Sequence, residues 1–228
     1  MENRIYRWIY SSLQFLAGLI FRAFDVISRC TLGLLFFRLE VDGLENITTL
    51  KGPLIITPNH KSYCDHFFFL SAIIGNNWNI LPARPMVADW LSKIRLVGWI
   101  LKNLSGAYSV RKVAGLDVSL RRPLKALHHN YMVAIYPEGG IWLGSGVCQI
   151  KMGAAYLARK SGAPILPAAI RGAEHLSLKA FLFGRRRVKV SFGRPFYVRA
   201  DENITTASEE IRHRIEMLYN KTKTENIY

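Results

Sequence analysis

Four short apolar runs, at 53–57, 105–110, 131–136 and 164–170, alternate along the chain with amphipathic segments at about 65–74, 89–102, 118–129 and 150–161. Within each run the apolar residues follow one another without polar alternation, the pattern of a strand covered on both faces. Strand and helix taking turns predicts an α/β domain, a central, mostly buried sheet flanked by helices. Arg186 to Phe192 adds a further strand, and about 206–221 a closing helix capped by Thr205 or Thr206. Pro123 leaves the start of the 118–129 helix open, because proline is accommodated only in a first turn. No repeat, linker or low-complexity stretch divides the chain, and 228 residues suit one domain with an appendage.

The appendage is at the N-terminus. Residues 1–37 differ in composition from 38–228, which form the expected α/β domain. Trp8 to Phe21 carries no charge but is too short to span a bilayer, which takes about 20 apolar residues. Arg22, Asp25 and Arg29 then interrupt, before a second apolar run from Cys30 to Phe37. Aromatic residues with flanking arginines suit two helices lying in a membrane interface. A cleaved signal peptide fits less well, since no small-x-small site follows cleanly and Arg22 arrives early. Core-packing helices are the third reading.

Half the residues are apolar, which excludes disorder. The cysteines Cys30, Cys64 and Cys148 are scattered, which argues against a disulfide framework or a zinc site and for a reducing compartment. The net charge of +15 is concentrated between Arg84 and Arg199, where 20 Lys and Arg accompany Asp89, Asp117, Glu138 and Glu174. Such a field attracts anionic lipid headgroups, a phosphorylated substrate or nucleic acid equally well. No nucleic-acid-binding motif accompanies it, so no nucleic-acid partner is expected. Arg185-Arg186-Arg187, next to alternating Val188-Lys189-Val190, reads as a sheet edge or adjoining loop facing the partner.

The candidate chemistry begins where the first central strand ends. Pro58 stops the run Leu54-Ile55-Ile56-Thr57, and Asn59-His60-Lys61-Ser62-Tyr63-Cys64-Asp65 follows. On one regular helix, residues five apart diverge by about 140°. Across a strand-turn-helix junction they converge, with His60 in the turn and Asp65 in the first helical turn. A histidine held by a carboxylate is a general base fixed in tautomer and orientation. The competing reading is a capping box, Ser62 as N-cap and Asp65 at N3. Cys64 reads as a packing residue. Glu138-Gly139-Gly140 closes another strand, where glycines admit a close approach of backbone N–H groups to an anion, or simply make a turn. Glu138 binds an acceptor hydroxyl or braces that turn. Lys151 reaches donor phosphates or belongs to a solvated helix start. His66, His128, His129, His175 and His213 show no metal-ligand spacing, and no metal is expected.

Taken together, these segments resemble the ordered blocks of the glycerolipid acyltransferases, the 1-acylglycerol-3-phosphate O-acyltransferase family. His60 and Asp65 match its His-x-x-x-x-Asp block, Gly106 to Arg111 its second, and Tyr136-Pro137-Glu138-Gly139-Gly140 its third. Lys151-Met152-Gly153-Ala154 and Ala163 to Pro167 are similar to the later blocks, so the resemblance covers about half the chain. It implies transfer of a fatty acyl group from acyl-CoA or acyl-carrier protein to a lysophospholipid hydroxyl, with lysophosphatidic acid as the default acceptor. His60 would be the base, Asp65 its orienting partner and Arg111 the clamp on the acceptor phosphate. No cofactor is needed beyond the activated donor. The expected setting is the cytoplasmic face of an anionic membrane, attached without spanning. Two departures bear on the acceptor: Gly140 and Ile141 replace the usual threonine and arginine, and Val110 replaces an acid.

Readings from other classes stay open at this level. A different lysolipid or hydroxylated acceptor fits the same base. A basic, non-catalytic membrane-binding protein would have no use for His60 beside Asp65. A serine or cysteine hydrolase would lack a Gly-x-Ser-x-Gly elbow.

Overall fold

The computed structural model describes residues 37–62, 65–74, 83–88, 93, 108–110, 115–174 and 186–224. The N-terminal pair of helices expected within 1–37 lies outside them up to residue 36, and so does the helix expected at 89–102 apart from Lys93. The strands are β1 (Phe37–Asp42), β2 (Leu54–Pro58), β3 (Ala83–Ala88), β4 (Tyr108–Val110), β5 (Met132–Ala134), β6 (Ile165–Arg171) and β7 (Arg186–Phe192). They form a seven-stranded sheet in the order β1-β7-β6-β2-β5-β3-β4. Every neighbouring pair is parallel except β6 with β7.

The helices are α1 (Asp65–Ile74), α2 (Leu116–Ser119), α3 (Arg121–His128), α4 (Gly153–Ser161) and α5 (Ile204–Thr224). They sandwich the sheet. On one face Phe68, Phe69, Ala72 and Ile73 of α1 pack on Leu54, Ile56, Met132, Ala134 and Leu166. On the other, Ala126 and Leu127 of α3, Leu157 and Ala158 of α4, and Ile211 and Ile215 of α5 pack on Ile55, Val133 and Ile165. Successive side chains of one strand serve opposite cores, which is why β2 reads as an unbroken apolar run.

This layering creates the crevice. β2 and β5 are parallel neighbours, with Ile55 paired to Val133. After β2 the chain turns onto the face of α1; the segment after β5 leads to α4 on the opposite face. Adjacent strands whose connections part to opposite faces open a cleft at their carboxyl ends, the usual position of a site in such sheets.

Three local expectations change. The segment expected as one helix at 118–129 is two, jointed at buried Leu120. Pro123 sits third in α3, where a missing N–H has no intrahelical bond to lose. The closing helix starts at Ile204, and its cap is Asn203, whose Oδ1 accepts the Thr205 N–H at 2.8 Å, in place of either threonine. The basic strand β7 is interior, between β1 and β6, although Arg187 reaches solvent. Lys189 is buried and ion-paired to Asp42 at 2.7 Å.

Candidate active site

Asn59, directly after β2, aims the turn that carries His60. Its side chain is buried and takes the place of a ladder residue: Nδ2 donates to Ile170 O at 2.9 Å, and Oδ1 accepts from Ile170 N at 2.6 Å. Fastened to β6 in this way, the chain leaves the sheet, and His60 comes next, at the mouth of the crevice.

The carboxylate of Asp65, fully buried at the start of α1, gathers four donors. Oδ2 accepts from His60 Nδ1 at 2.9 Å, from Ser62 N at 2.8 Å and from Lys61 N; Oδ1 accepts from Ser62 Oγ at 2.7 Å. The bond from Ser62 N is the return arm of a capping box, so the capping and histidine-holding readings coexist on one side chain. Because a carboxylate only accepts, the shared proton resides on Nδ1, and Nε2 carries the lone pair. His60 keeps 21 % of its side chain exposed.

Its ring is also held from the side and behind. Tyr136 stacks on it with centroids 4.2 Å apart. The His60 N–H donates to Glu138 Oε1 at 3.3 Å, and the His60 carbonyl accepts from Trp142 N at 2.8 Å. The other Glu138 oxygen accepts from Cys148 Sγ at 3.5 Å, so both oxygens face the protein and Oε1 braces the His60 turn. Burial raises the Glu138 carboxyl above its ordinary range, opposed by the His60 N–H and by Lys61. Burial likewise raises the Cys148 thiol, with Glu138 adding to it, which makes that sulfur a poor nucleophile.

Gly139 and Lys151 also meet. Gly139 has φ of 71°, and a Cβ there would lie 2.8 Å from Lys151 Cε, so the lysine stem crosses the glycine. Lys151 N donates to Pro137 O at 2.8 Å, which ties the start of α4 to the Glu138 turn. The Gly139 N–H is committed to Tyr136 O at 3.0 Å, whereas Gly140 is exposed with open space around it. Thus His60, Asp65, Glu138, Gly139 and Lys151 converge, Gly140 lies at the rim, and Arg111 falls just beyond β4, outside the described residues.

Lys61 is a site residue that sequence reasoning passed over. It is fully buried, its ammonium donating to Gly144 O at 2.8 Å and to Gly146 O and lying 5.1 Å above the Tyr219 ring. Burial lowers its pKa, with Glu138 and Glu174 opposing. Tyr219 of α5 in turn donates its hydroxyl to Glu174 at 2.9 Å. Nothing local marks a lysine as buried; its position beside His60 was the only available signal. Lys61→Met keeps the stem but strands two carbonyls. It should lower stability in urea titrations by about 1–3 kcal/mol, the usual penalty for an unmade buried hydrogen bond.

His66 sits one residue beyond Asp65 with both ring nitrogens buried and without a partner among the described residues. Burial first, then neighbouring His60, lowers its pKa from 6.5 to about 4. Between those values the unfolded chain binds the extra proton, so stability drains away as pH falls through that window. Denaturant midpoints measured from pH 7 to pH 4 should fall less steeply for His66→Phe than for the unaltered protein. Parallel curves would show that His66 does not contribute. Among the described residues no cluster of His, Cys, Asp and Glu could hold a metal ion.

A mostly parallel sheet with a carboxylate-held histidine at its carboxyl edge belongs to a recognisable class. Residues 38–171 match the family model described as Acyltransferase, and the chain belongs to this family. Its relatives include glycerolipid enzymes. It is 24 % identical over 140 residues to a chloroplastic 1-acyl-sn-glycerol-3-phosphate acyltransferase of Brassica napus, covering 60 % of this chain and 38 % of that protein. An Arabidopsis thaliana enzyme of the same name is likewise 24 % identical and covered over 37 % of its length. The present chain therefore spans well under half of those plant proteins. A Bacillus subtilis 1-acyl-sn-glycerol-3-phosphate acyltransferase is 26 % identical over 190 residues, 80 % of this chain and 88 % of that one. The fold is shared with the crystal structure of the 1-acyl-sn-glycerophosphate acyltransferase from Thermotoga maritima. The TM-score is 0.72 at 20 % identity, over 98 % of this chain and 84 % of the other.

Proposed function

We propose that this protein transfers a fatty acyl group from an acyl thioester, acyl-CoA or acyl-carrier protein, to the free hydroxyl of a lysophospholipid, with 1-acylglycerol-3-phosphate as first choice. The single observation that carries the reading is the His60 Nδ1 to Asp65 Oδ2 bond of 2.9 Å at the open end of β2. It leaves Nε2 as a base with its lone pair available for an incoming hydroxyl. The names of the relatives supply the acceptor class.

A thioester is already activated, so no nucleophilic side chain is required. Nε2 takes the acceptor's proton while its oxygen attacks the thioester carbonyl carbon. The tetrahedral oxyanion then collapses, the carbon–sulfur bond breaks, and the imidazolium returns the proton to the leaving thiolate. Asp65 stabilises the imidazolium between those steps. Gly140, exposed at the rim, would offer its N–H to the oxyanion. Ser62, two residues after His60, is buried and its hydroxyl is bound to Asp65, an arrangement that suits a substrate-borne nucleophile better than a serine hydrolase.

Arg111 and Lys151 complete the reading as clamps for acceptor and donor phosphates. Arg111→Ala should raise the KM for the phosphorylated acceptor far more than that for the donor. Lysine should restore it only in part, because it lacks the bidentate fork. Equal KM values would remove that role. Attachment to an anionic membrane belongs to the same proposal; among the described residues no helix is long and apolar enough to cross a membrane. The deciding experiment incubates purified protein with isotope-labelled acyl-CoA, or acyl-carrier protein, and a panel of lysolipids, and reads products by mass. Failure to acylate any lysolipid would refute the proposal.

A further inference from the structure

Between the Glu138 turn and α4, residues 139–150 carry no charge. They display Trp142 at 42 % and Leu143 at 57 % exposure. A slack loop would fold such side chains inward. This one is held open by bonds from buried or site residues: Lys61 Nζ to Gly144 O and Gly146 O, and Trp142 N to His60 O. The indole N–H is directed back to Ser145 O at 3.4 Å, and the ring lies over Gly144, where a Cβ would meet it at 2.5 Å. The result is a fixed apolar tip with the polar edge of its tryptophan turned into the loop.

Exposed apolar residues held rigid beside a site call for a partner. Charge selects among the candidates. The tip itself is neutral, Lys151 is exposed at its base, and exposed Arg121 and Arg122 follow Leu120, which a Cβ at Gly153, at the start of α4, would meet at 3.7 Å. A neutral apolar tip beside exposed basic side chains matches an anionic bilayer, with acyl chains beneath and headgroup charge above. Tryptophan is the side chain that favours that boundary.

We propose that Trp142 and Leu143 form a lipid-facing wedge that enters the headgroup–acyl boundary of an anionic membrane. Because His60 O is bonded to Trp142 N, the wedge sets the mouth of the crevice directly against the lipid surface. A substrate with an acyl tail reaches His60 Nε2 by rising along the tip, without passing through water. That last step rests on the acyltransferase reading; the wedge itself does not.

The test uses the full chain and phosphatidylcholine–phosphatidylglycerol vesicles with brominated acyl chains. The emission lost in Trp142→Phe, one of five tryptophans, isolates the signal of that residue. We expect bromine to quench it. Leu143→Glu should weaken partition onto the vesicles by about tenfold, since a charge replaces apolar surface. Its rate with a short-chain acceptor dissolved as monomers should stay within about twofold, since Leu143 is solvent-exposed in the structure. Unquenched Trp142 emission in vesicle-bound protein, or unchanged partition of Leu143→Glu, would overturn the proposal. So would a Trp142-dependent dimer with unquenched emission, which would assign the tip to a second copy of the chain. Quenching without turnover on any lysolipid would sink the acyltransferase reading and still support the wedge.

Discussion

His60→Ala should lower kcat for acyl transfer by at least about 10²-fold, the usual scale of a positioned general base. The loss should be in kcat more than in KM, since the imidazole is needed most where the hydroxyl proton moves. Vesicle binding should be unchanged, because the ring lies in the crevice, stacked on Tyr136 and bonded to Asp65. Circular dichroism and vesicle sedimentation run alongside the kinetics separate lost chemistry from lost folding. Near-normal turnover would remove His60 from the mechanism.

Asp65→Asn is expected to reduce kcat by between about 10² and 10⁴, because neither orientation of the amide serves the imidazolium. Three donors meet at Oδ2 and one at Oδ1. With the amide oxygen in the place of Oδ2, His60 and the backbone N–H groups of Lys61 and Ser62 all keep their acceptor and the NH2 donates to Ser62 Oγ, but no negative charge remains to stabilise the imidazolium. With the NH2 in that place, it confronts Nδ1 and the imidazole proton shifts to Nε2, disabling the base. The two backbone N–H groups then lose their acceptor as well, at about 1–3 kcal/mol for each buried donor left unmade. Measured together, kcat and the urea midpoint divide the two effects. A variant that loses stability but keeps kcat would leave Asp65 a helix cap alone.

The readable part of the site was the part made by neighbours in sequence. Asp65 and His60 are five residues apart across one turn, and Glu138-Gly139 are adjacent, so strand end, turn and helix start could be placed from local pattern. β2, β5 and β6 were legible for a related reason: burial on both faces leaves unbroken apolar runs. β3 escaped notice because Ala83-Arg84-Pro85 mixes a charge and a proline into its start; pairing with β5 and β4 makes it a strand. Lys61 escaped because the partners that make its burial tolerable, the carbonyls of Gly144 and Gly146, lie more than eighty residues away.

By itself, the sequence determined the alternation of strand and helix, the α/β class, and the His60–Asp65 and Glu138–Gly139 segments, because these arise from backbone preference and spacing over a few residues. The tertiary structure decided the strand order, the parting of α1 and α4 to opposite faces, and hence the crevice. It also decided that Glu138 braces His60, that Tyr136 stacks on it, and that Lys61 binds an apolar tip to the same turn. Those are contacts between segments distant along the chain. They form when the two cores on either side of the sheet close, and no short window of sequence contains both partners.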